Sequence, residues 1–540
     1  MSIRPVTASA LPAITQRILD ELDDRSSRPH LFVLLAIVIV GFLLRFYGFY
    51  AGQGYHYFAI NDELFAYQYA LSFLAGEEKA LYLGQPYFAG GQAPGPMWTV
   101  FWVLLLKLGG GSVNAAIFWM GVLNTFTIYL VYLLANKFLD PRHALATAGI
   151  YATAPWPVYL SVGMWNPLAL AFLGGLLFLS LWAVSNQDYS RSIFWVCLLA
   201  AIIPQFHMVG LFYVPAIVLL LLIMPTRLNT KWLAGGIIAG AAVYLPYLIG
   251  EIQHDWDNTR RILANNQELS FSVLKIVSAP VTVLSSVPAR WMGSFDELKR
   301  LGDTYFGSYI VLIGFSLVSA ANGMTYLGSF LKSFSRALRG KWRALRRTYK
   351  ESPAVMFIGI LLVVPLLLFL PTGQNYASRY TIIIFPLLFL LPVFFLKKLK
   401  SPVAKRLWIG NMALITLFNV YLLVSYYTFQ NGLIEDSDRF LASFKKLESL
   451  RQTLRADAGS DTFIEIRLAD DVSGSPERTR KTVWTVAHYL DIYQTFISHT
   501  TGSSRKKAYL LKLEKNVQPG QSVVVYRGNG IAIIDMGVRP

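Results

Sequence analysis

Charge is scarce in this sequence, and where it is missing matters more than how much there is. Of 540 residues only 15% are Asp, Glu, Lys or Arg, while 54% are hydrophobic; soluble domains carry about 25% charge. A soluble globular chain is excluded, and a polytopic α-helical membrane protein is predicted. The one cysteine, Cys197, lies in an apolar run, which excludes an intrachain disulfide and a cysteine-based metal site. There is no P-loop, no glycine-rich dinucleotide fingerprint after a strand-like run, no internal repeat and no low-complexity tract. Chemistry on soluble nucleotides therefore has no recognisable cradle. The apolar runs contain no acid, and Arg45 is their one cation. Ion-coupled transport needs titratable groups at membrane depth, so this pattern weighs against a transporter. Arg45, near the end of the first run, is expected to snorkel to headgroups or to pair with a loop acid.

The runs able to cross or nearly cross a bilayer fall at about 31–50, 114–134, 144–161, 167–184, 193–206, 208–224, 232–249, 306–331, 353–371, 380–396 and 407–427, about eleven transmembrane helices. Residues 1–30 carry mixed charge and form a cytoplasmic N-terminal segment, followed by an uncleaved first span. The net charge of +17 could suggest nucleic acid, but the basic residues sit mostly in short loops. These are Lys137 with Arg142, Arg191, Arg227 with Lys231, the segment 332–350 and the segment 397–406. Such loops set orientation by staying in the cytoplasm. If Pro96 to Leu108 lies along the outer surface as an amphipathic helix, all of them fall inside. The N-terminus is then cytoplasmic and the C-terminus outside.

On this topology the outer face collects a first loop, 51–113, and a second, 250–305. To these it adds Trp165-Asn166-Pro167, the tight turn Pro204-Gln205-Phe206-His207, the turn before Tyr380, and the tail. Residues 31–427 form the membrane domain. Residues 428–540 change character, with helical patterns at 437–454 and 481–498 and strand-like runs at Phe463–Leu468, Ala508–Leu513, Ser522–Tyr526 and Ile531–Asp535. They predict a small extracytoplasmic α/β domain.

Asp62 and Glu63 stand in the first outer loop as adjacent carboxylates. Asn61 or Asp62 can cap a short helix that Gly76 ends, and an acid in its first turn is favoured by the helix dipole. Asp62 is thus a candidate proton acceptor; by base rate alone both acids also read as solvated loop residues. Arg379 in its narrow turn, with Arg260 and Arg261, are forked cations suited to a lipid phosphate. His207 and Gln205 can add hydrogen bonds there, although a structural histidine is the commoner role. Tyr55, Tyr57, Tyr82, Tyr87 and Trp98 read most simply as an interfacial aromatic belt, and aromatic walls also suit a sugar ring. Asp255-Trp256-Asp257 has the spacing by which some sugar transferases hold a metal and a nucleotide diphosphate, but it lies outside and is short.

Asp62-Glu63 after the first span, Gly84-Gln85-Pro86-Tyr87-Phe88 and Ala93-Pro94-Gly95-Pro96-Met97-Trp98 resemble the first outer loop of the GT-C superfamily, most closely the protein O-mannosyltransferase and lipid A aminoarabinose transferase branch. Trp165-Asn166-Pro167, Gln205-Phe206-His207, Tyr244-Leu245-Pro246-Tyr247 and Ser378-Arg379-Tyr380 are similar to bacterial members. The resemblance implies a GT-C-like membrane domain and a transferase that moves a sugar from a polyprenyl-phosphate donor to an acceptor hydroxyl on an envelope glycan, lipid or protein. It places the family's loop acid on Asp62, with Glu63 beside it. The donor phosphate would lie on Arg379 and Tyr380, Arg260, Arg261, His207 and Gln205, and the substrate-lining positions would be Tyr87, Trp98, Trp165 and Asn166. The sequence departs from the aminoarabinose branch at Gly91-Gln92-Ala93-Pro94, where that branch carries an acid and a lysine before a Pro-Pro pair. It departs again at Asn166, where the family has a second acid. No metal ligand is assigned, and a divalent Mg or Mn ion is left open. The alternative readings are a lipid-linked glycan flippase or carrier, which would need a continuous polar path through the spans, an oligosaccharide ligase or polymerase, and an assembly subunit.

Overall fold

A computed structural model describes residues 28–51, 69–70, 73–74, 76, 82, 84, 92–110, 113–163, 165–185, 191–224, 226, 228–264, 273–285, 295–338, 345–369, 378–436 and the strands at 463–468, 506–513, 524–528 and 531–539. The apolar runs become helices because inside a bilayer only intra-segment bonding satisfies every backbone amide. The first is α1, Arg28–Ala51, followed by α2, Met97–Leu108, and α3, Val113–Phe138. The next run is broken into α4, Pro141–Thr153, and α5, Pro155–Tyr159, with Ala154 extended between them. A residue before proline is pushed out of the helical region, so the single span expected at 144–161 does not form. Then come α6, Leu170–Ser185, entered through the 3-10 turn Asn166–Ala169, then α7, Ser192–Phe206, and α8, Tyr213–Ile223.

The second half of the bundle begins with α9, Thr230–Gln253, and the short α10, Asp257–Ala264. Next are α11, Val273–Leu284, α12, Phe295–Tyr305, and α13, Tyr309–Leu338. The pair α14, Leu345–Glu351, and α15, Pro353–Phe369, meets at 120°. The 3-10 turn Ser378–Ile384 leads into α16, Phe385–Leu388, and α17, Leu391–Lys398, and α18, Pro402–Asp436, closes the bundle.

Among the described residues seven helices are long and apolar enough to cross a membrane, or eight if the bent α14–α15 pair is one span. The sequence has eleven apolar runs; α7 and α8, with 15 and 11 residues, are shorter than a full crossing needs, and α4 ends early. The 12-residue α2 is also too short to cross, at about 1.5 Å per residue. It buries Trp98, Trp102 and Leu106 and leaves Leu104 and Leu108 exposed, as an amphipathic surface helix does. Within the stretch expected as an outer loop, α11 is instead packed against α13 and the 378–384 turn, with Ala279 and Val283 buried. Twelve residues, with Lys275, Ser278 and Thr282 among them, are too few and too polar to register as a span, which is why hydropathy passes over them.

Lipid tails are as apolar as leucine, so helices in a bilayer associate through close packing at small residues. Gly236 lies against Phe194 and Cys197, and Gly240 against Ala201, so α9 runs alongside α7 with the two backbones nearly touching. That approach carries on to Val243 and Gln205 at the end of α7. Gly174 on α6 meets the carbonyl of Ile383 in the same way.

The two ends of the bundle differ. At one end Lys397 reaches Asp140, Lys398 bonds Ser329 and Ser333, Arg346 bonds the carbonyl of Leu222, and Arg191 lies over Trp232. The short basic loops thus share an end, called the basic end below. At the other, the loop end, Tyr47 meets Thr428, Tyr421 meets the carbonyl of Tyr305, and the first and second outer loops meet.

Arg45 does not snorkel. It is 1% exposed, donates to the carbonyls of Gly41 and Ala152, and stacks over Tyr151. The close α1–α4 contact encloses it.

The tail forms a four-stranded sheet in the order β1-β2-β4-β3. Its strands are β1 Phe463–Leu468, β2 Lys506–Leu513, β3 Val524–Gly528 and β4 Ile531–Arg539. β1 and β2 are parallel, and the other two pairs antiparallel. A parallel pair needs a long crossover, and residues 469–505 supply the length. The tail helices expected at 437–454 and 481–498 lie outside the described residues.

Candidate active site

At the loop end, three stretches distant in sequence are joined by side chains that bond to backbone. Gln205 terminates α7, where Pro204 and the extended His207 stop the helix. It is 0% exposed; its Nε2 donates to Val243 O at 3.3 Å and its Oε1 accepts from Met97 N at 3.4 Å. Gly95 has φ +122°, and a Cβ there would fall 2.1 Å from Gln205 Oε1. Only glycine leaves room for the chain to pass so close over a side chain. The carboxamide is therefore spent on locking the start of α2 to α7 and α9. Asn166, at the start of its 3-10 turn, donates to Phe206 O at 2.9 Å and fixes the same turn from the other side.

His207 caps the turn Met208–Phe212: its Nδ1 accepts from Val209 N at 3.2 Å. With Nδ1 accepting, the ring proton sits on Nε2, which makes Nε2 a donor. The ring lies 5.4 Å from that of Tyr380, and Tyr380 lies 5.5 Å from Phe369. Arg379 is the residue before Tyr380 in the 3-10 turn Ser378–Ile384; the structure describes its place in that turn but not its side chain. Trp98 is fully enclosed, 5.4 Å from Trp102 and 5.7 Å from Phe206, and its role is packing. Trp165 stands just before the turn that Asn166 opens. Asp62, Glu63 and Tyr87 lie outside the described residues.

Arg260 and Arg261 occupy α10. Arg261 pairs with Asp257 at 2.7 Å while 65% exposed, and Arg260 donates to the carbonyl of Asp255. Asp255 and Trp256 have φ of +52° and +61°, a left-handed pair uncommon for residues with a side chain. Their turn swings α10 back over the end of α9. The Asp-Trp-Asp stretch is therefore a turn that folds onto its own arginines. Of the six side chains expected to hold a phosphate, the five described ones divide into three groups: His207 meets Tyr380, Gln205 turns to backbone, and the α10 arginines pair within their own segment. Among the described residues no three His, Cys, Asp or Glu side chains gather.

Sequence reasoning missed Asn258 and Glu251. Asn258 bonds both backbone groups of Gln92, with Oδ1 accepting from N at 2.5 Å and Nδ2 donating to O at 3.1 Å. Glu251, 1% exposed because α9 runs on past 249, accepts from Thr259 N at 2.9 Å. The first loop is seated further by Tyr82 against Gly250 and by Gly84 N donating to Ala93 O. A polar residue in a polar loop gives no sequence signal when its partner is a backbone 166 positions away.

No protein-family model matches the chain, and no curated protein matches it in sequence. Solved structures do. ArnT from Cupriavidus metallidurans in the apo state superposes with a TM-score of 0.53 at 10% identity, covering 94% of this chain and 98% of that one. The same protein bound to undecaprenyl phosphate gives 0.52 at 11% identity, covering 94% and 97%. The Archaeoglobus fulgidus oligosaccharyltransferase, tethered with an acceptor peptide, aligns at 0.43 and 11% identity over 90% and 69%, too loosely to bear structural argument. With nearly the whole of both chains superposed, this multi-pass membrane protein shares the overall fold of ArnT.

Proposed function

We propose that the chain is an inverting glycosyltransferase that moves a hexose or pentose from a polyprenyl-phosphate donor to an acceptor hydroxyl on the extracytoplasmic face of a bacterial inner membrane. The observation that carries the reading is the place of His207 and Tyr380. Their rings meet at the loop end, beside Arg379 in sequence, in a fold that in ArnT is found bound to undecaprenyl phosphate. The gathering of the short basic loops at the opposite end supports a cytoplasmic basic end and an outer loop end.

In this mechanism Asp62 accepts the proton of the acceptor hydroxyl as its oxygen bonds to the anomeric carbon. The bond from that carbon to the phosphate oxygen breaks, and its electron pair leaves on the lipid phosphate. Arg379 and His207 Nε2–H stabilise the growing negative charge, where preorganised donors are worth most. Arg260 reaches the phosphate after exchanging its carbonyl partner, and Glu63 orients the acceptor. One displacement inverts the anomeric centre, by analogy with inverting glycoside chemistry. The acceptor is a glycan, lipid or protein of the cell envelope.

The test is release of polyprenyl phosphate from polyprenyl-phosphate sugars by the full chain in membranes. Asp62→Asn should lower transfer by about 10²- to 10⁴-fold, the range for a lost general base, and Arg379→Ala should do likewise. If both variants transfer as the parent does, the assignment is wrong.

A further inference from the structure

The contact between the two outer loops is more specific than packing requires. Asn258 is 6% exposed, and its carboxamide bonds both the N–H and the C=O of Gln92, as one strand reads another. Behind it the Tyr247 hydroxyl lies 3.5 Å from Asn258 Nδ2 and 3.0 Å from Thr259 Oγ1, while Thr259 N–H is held by the buried Glu251. Each group in this line is fixed by the next, back to the end of membrane helix α9. The left-handed turn at Asp255 and Trp256, closed by Trp256 N donating to Glu251 O at 2.7 Å, delivers Asn258 to its partner. Backbone outliers of this kind persist where the surroundings over-determine them and cluster at working sites. Beyond the contact, Gln92 Nε2 donates to the Tyr69 hydroxyl at 3.3 Å. Tyr69 follows Asp62 by seven positions in the sequence.

We infer that Asn258 is a positioning residue for sugar transfer: by bonding both backbone groups of Gln92 it fixes the first outer loop at that point, and through the Gln92 side chain it holds Tyr69. The inference rests on the transferase reading above. It assigns Asn258 no contact with substrate. A fixed catalytic group needs neighbours that hold it, and a misplacement of about 1 Å can cost roughly 10²-fold in rate.

The experiment measures amide hydrogen exchange of the peptide spanning Gln92 in the full chain in membranes, beside transfer kinetics. Asn258→Ala should speed exchange there by about tenfold, the worth of one lost hydrogen bond. It should lower kcat by about 10²-fold with donor KM unchanged. Asn258→Asp keeps the acceptor for Gln92 N–H, so exchange should stay close to the parent's and kcat should recover in part. Unchanged exchange in Asn258→Ala overturns the inference, and so does faster exchange with kcat unmoved. Should Asn258→Ala loosen the whole bundle, Asn258→Asp decides: exchange at Gln92 as fast as in the alanine variant overturns it. A parent protein that turns over no polyprenyl-phosphate sugar sinks the transferase reading and the kinetic half of this one, while exchange at Gln92 still decides the clamp.

Discussion

The two ends of the bundle differ in how deeply their polar side chains are buried. At the basic end ion pairs are exposed and mostly local: Arg347 with Glu351 four residues on, and His143 with Asp140 three residues back. Exposed pairs of this kind are worth roughly 0 to 1 kcal/mol and are screened by salt. At the loop end Gln205, Asn166, Asn258 and Glu251 are buried and bond to backbone, the first three over separations of 38, 40 and 166 residues. A buried polar group left unpaired is costly, so these contacts define one arrangement of the chain. Exposed charge gathers at one end, and buried hydrogen bonds to backbone hold the loops at the other.

If that contrast is right, the most damaging change at the loop end is a methyl group. Gly95→Ala forces a side chain onto a backbone at φ +122° and into Gln205 Oε1. The backbone conformation alone costs about 1–3 kcal/mol, and the clash must also move Gln205 away from Met97 or Val243. We expect a lower thermal midpoint in detergent together with loss of transfer. A variant as stable and active as the parent would show that the loop can lift off α7 without consequence.

Gln205→Leu should follow in size. It keeps volume but leaves Met97 N–H without its partner and removes a second donor from Val243 C=O, which keeps its own helical bond, so the penalty is about 1–3 kcal/mol for the one buried group left unpaired. Because the α7–α9 approach at Gly236 and Gly240 persists, the loss should concentrate at the start of α2. Protease sensitivity or exchange at residues 92–98 should rise before the helices melt. If the helices and the loop loosen together, Gln205 is a general bundle contact and the loop end is no different from the core.

The same contrast explains what could be read in advance. Apolar runs announce helices, so α1, α3, α6, α7, α9, α13 and α18 lie where hydropathy puts them. Alternation announces strands, and all four tail strands overlap their expected positions, with β1 at Phe463–Leu468 to the residue. Gly76 takes the left-handed φ of +79° expected of it, with its N–H donating to Phe73 O, while the start of the helix expected before it lies outside the described residues. Hidden from the sequence were features set by a distant partner. The half-length α11 is held by α13 and the 378–384 turn, and Arg45 is enclosed by the carbonyl of Ala152, 107 residues away. Gln205 looked like a ligand residue because its type suits a phosphate; only the neighbouring Gly95 and Val243 show its carboxamide to be engaged.

The smallest effect, and the sharpest check on the basic end, lies at Asp140. It caps α4 by accepting from His143 N at 3.3 Å, its carboxylate meets His143 Nδ1 at 2.7 Å, and Lys397 stands 3.8 Å away. The hydrogen bond from His143 is the main reason the Asp140 carboxyl lies below its ordinary value in the folded protein. A depressed folded value means that the group adds stability above the unfolded carboxylate range and gives it up as pH falls through the folded value. Asp140→Ala should cost about 1 kcal/mol, as a lost cap does, and Asp140→Asn only a few tenths, because the amide oxygen still caps. The gap between parent and Asp140→Asn should close as pH drops below the carboxylate range, and it should narrow in high salt at neutral pH. Thermal midpoints across pH and salt measure both. An Asp140→Asn cost matching that of Gln205→Leu would mean that charge at this end does structural work, and the division between an end of exposed charge and an end of buried hydrogen bonds would have to be abandoned.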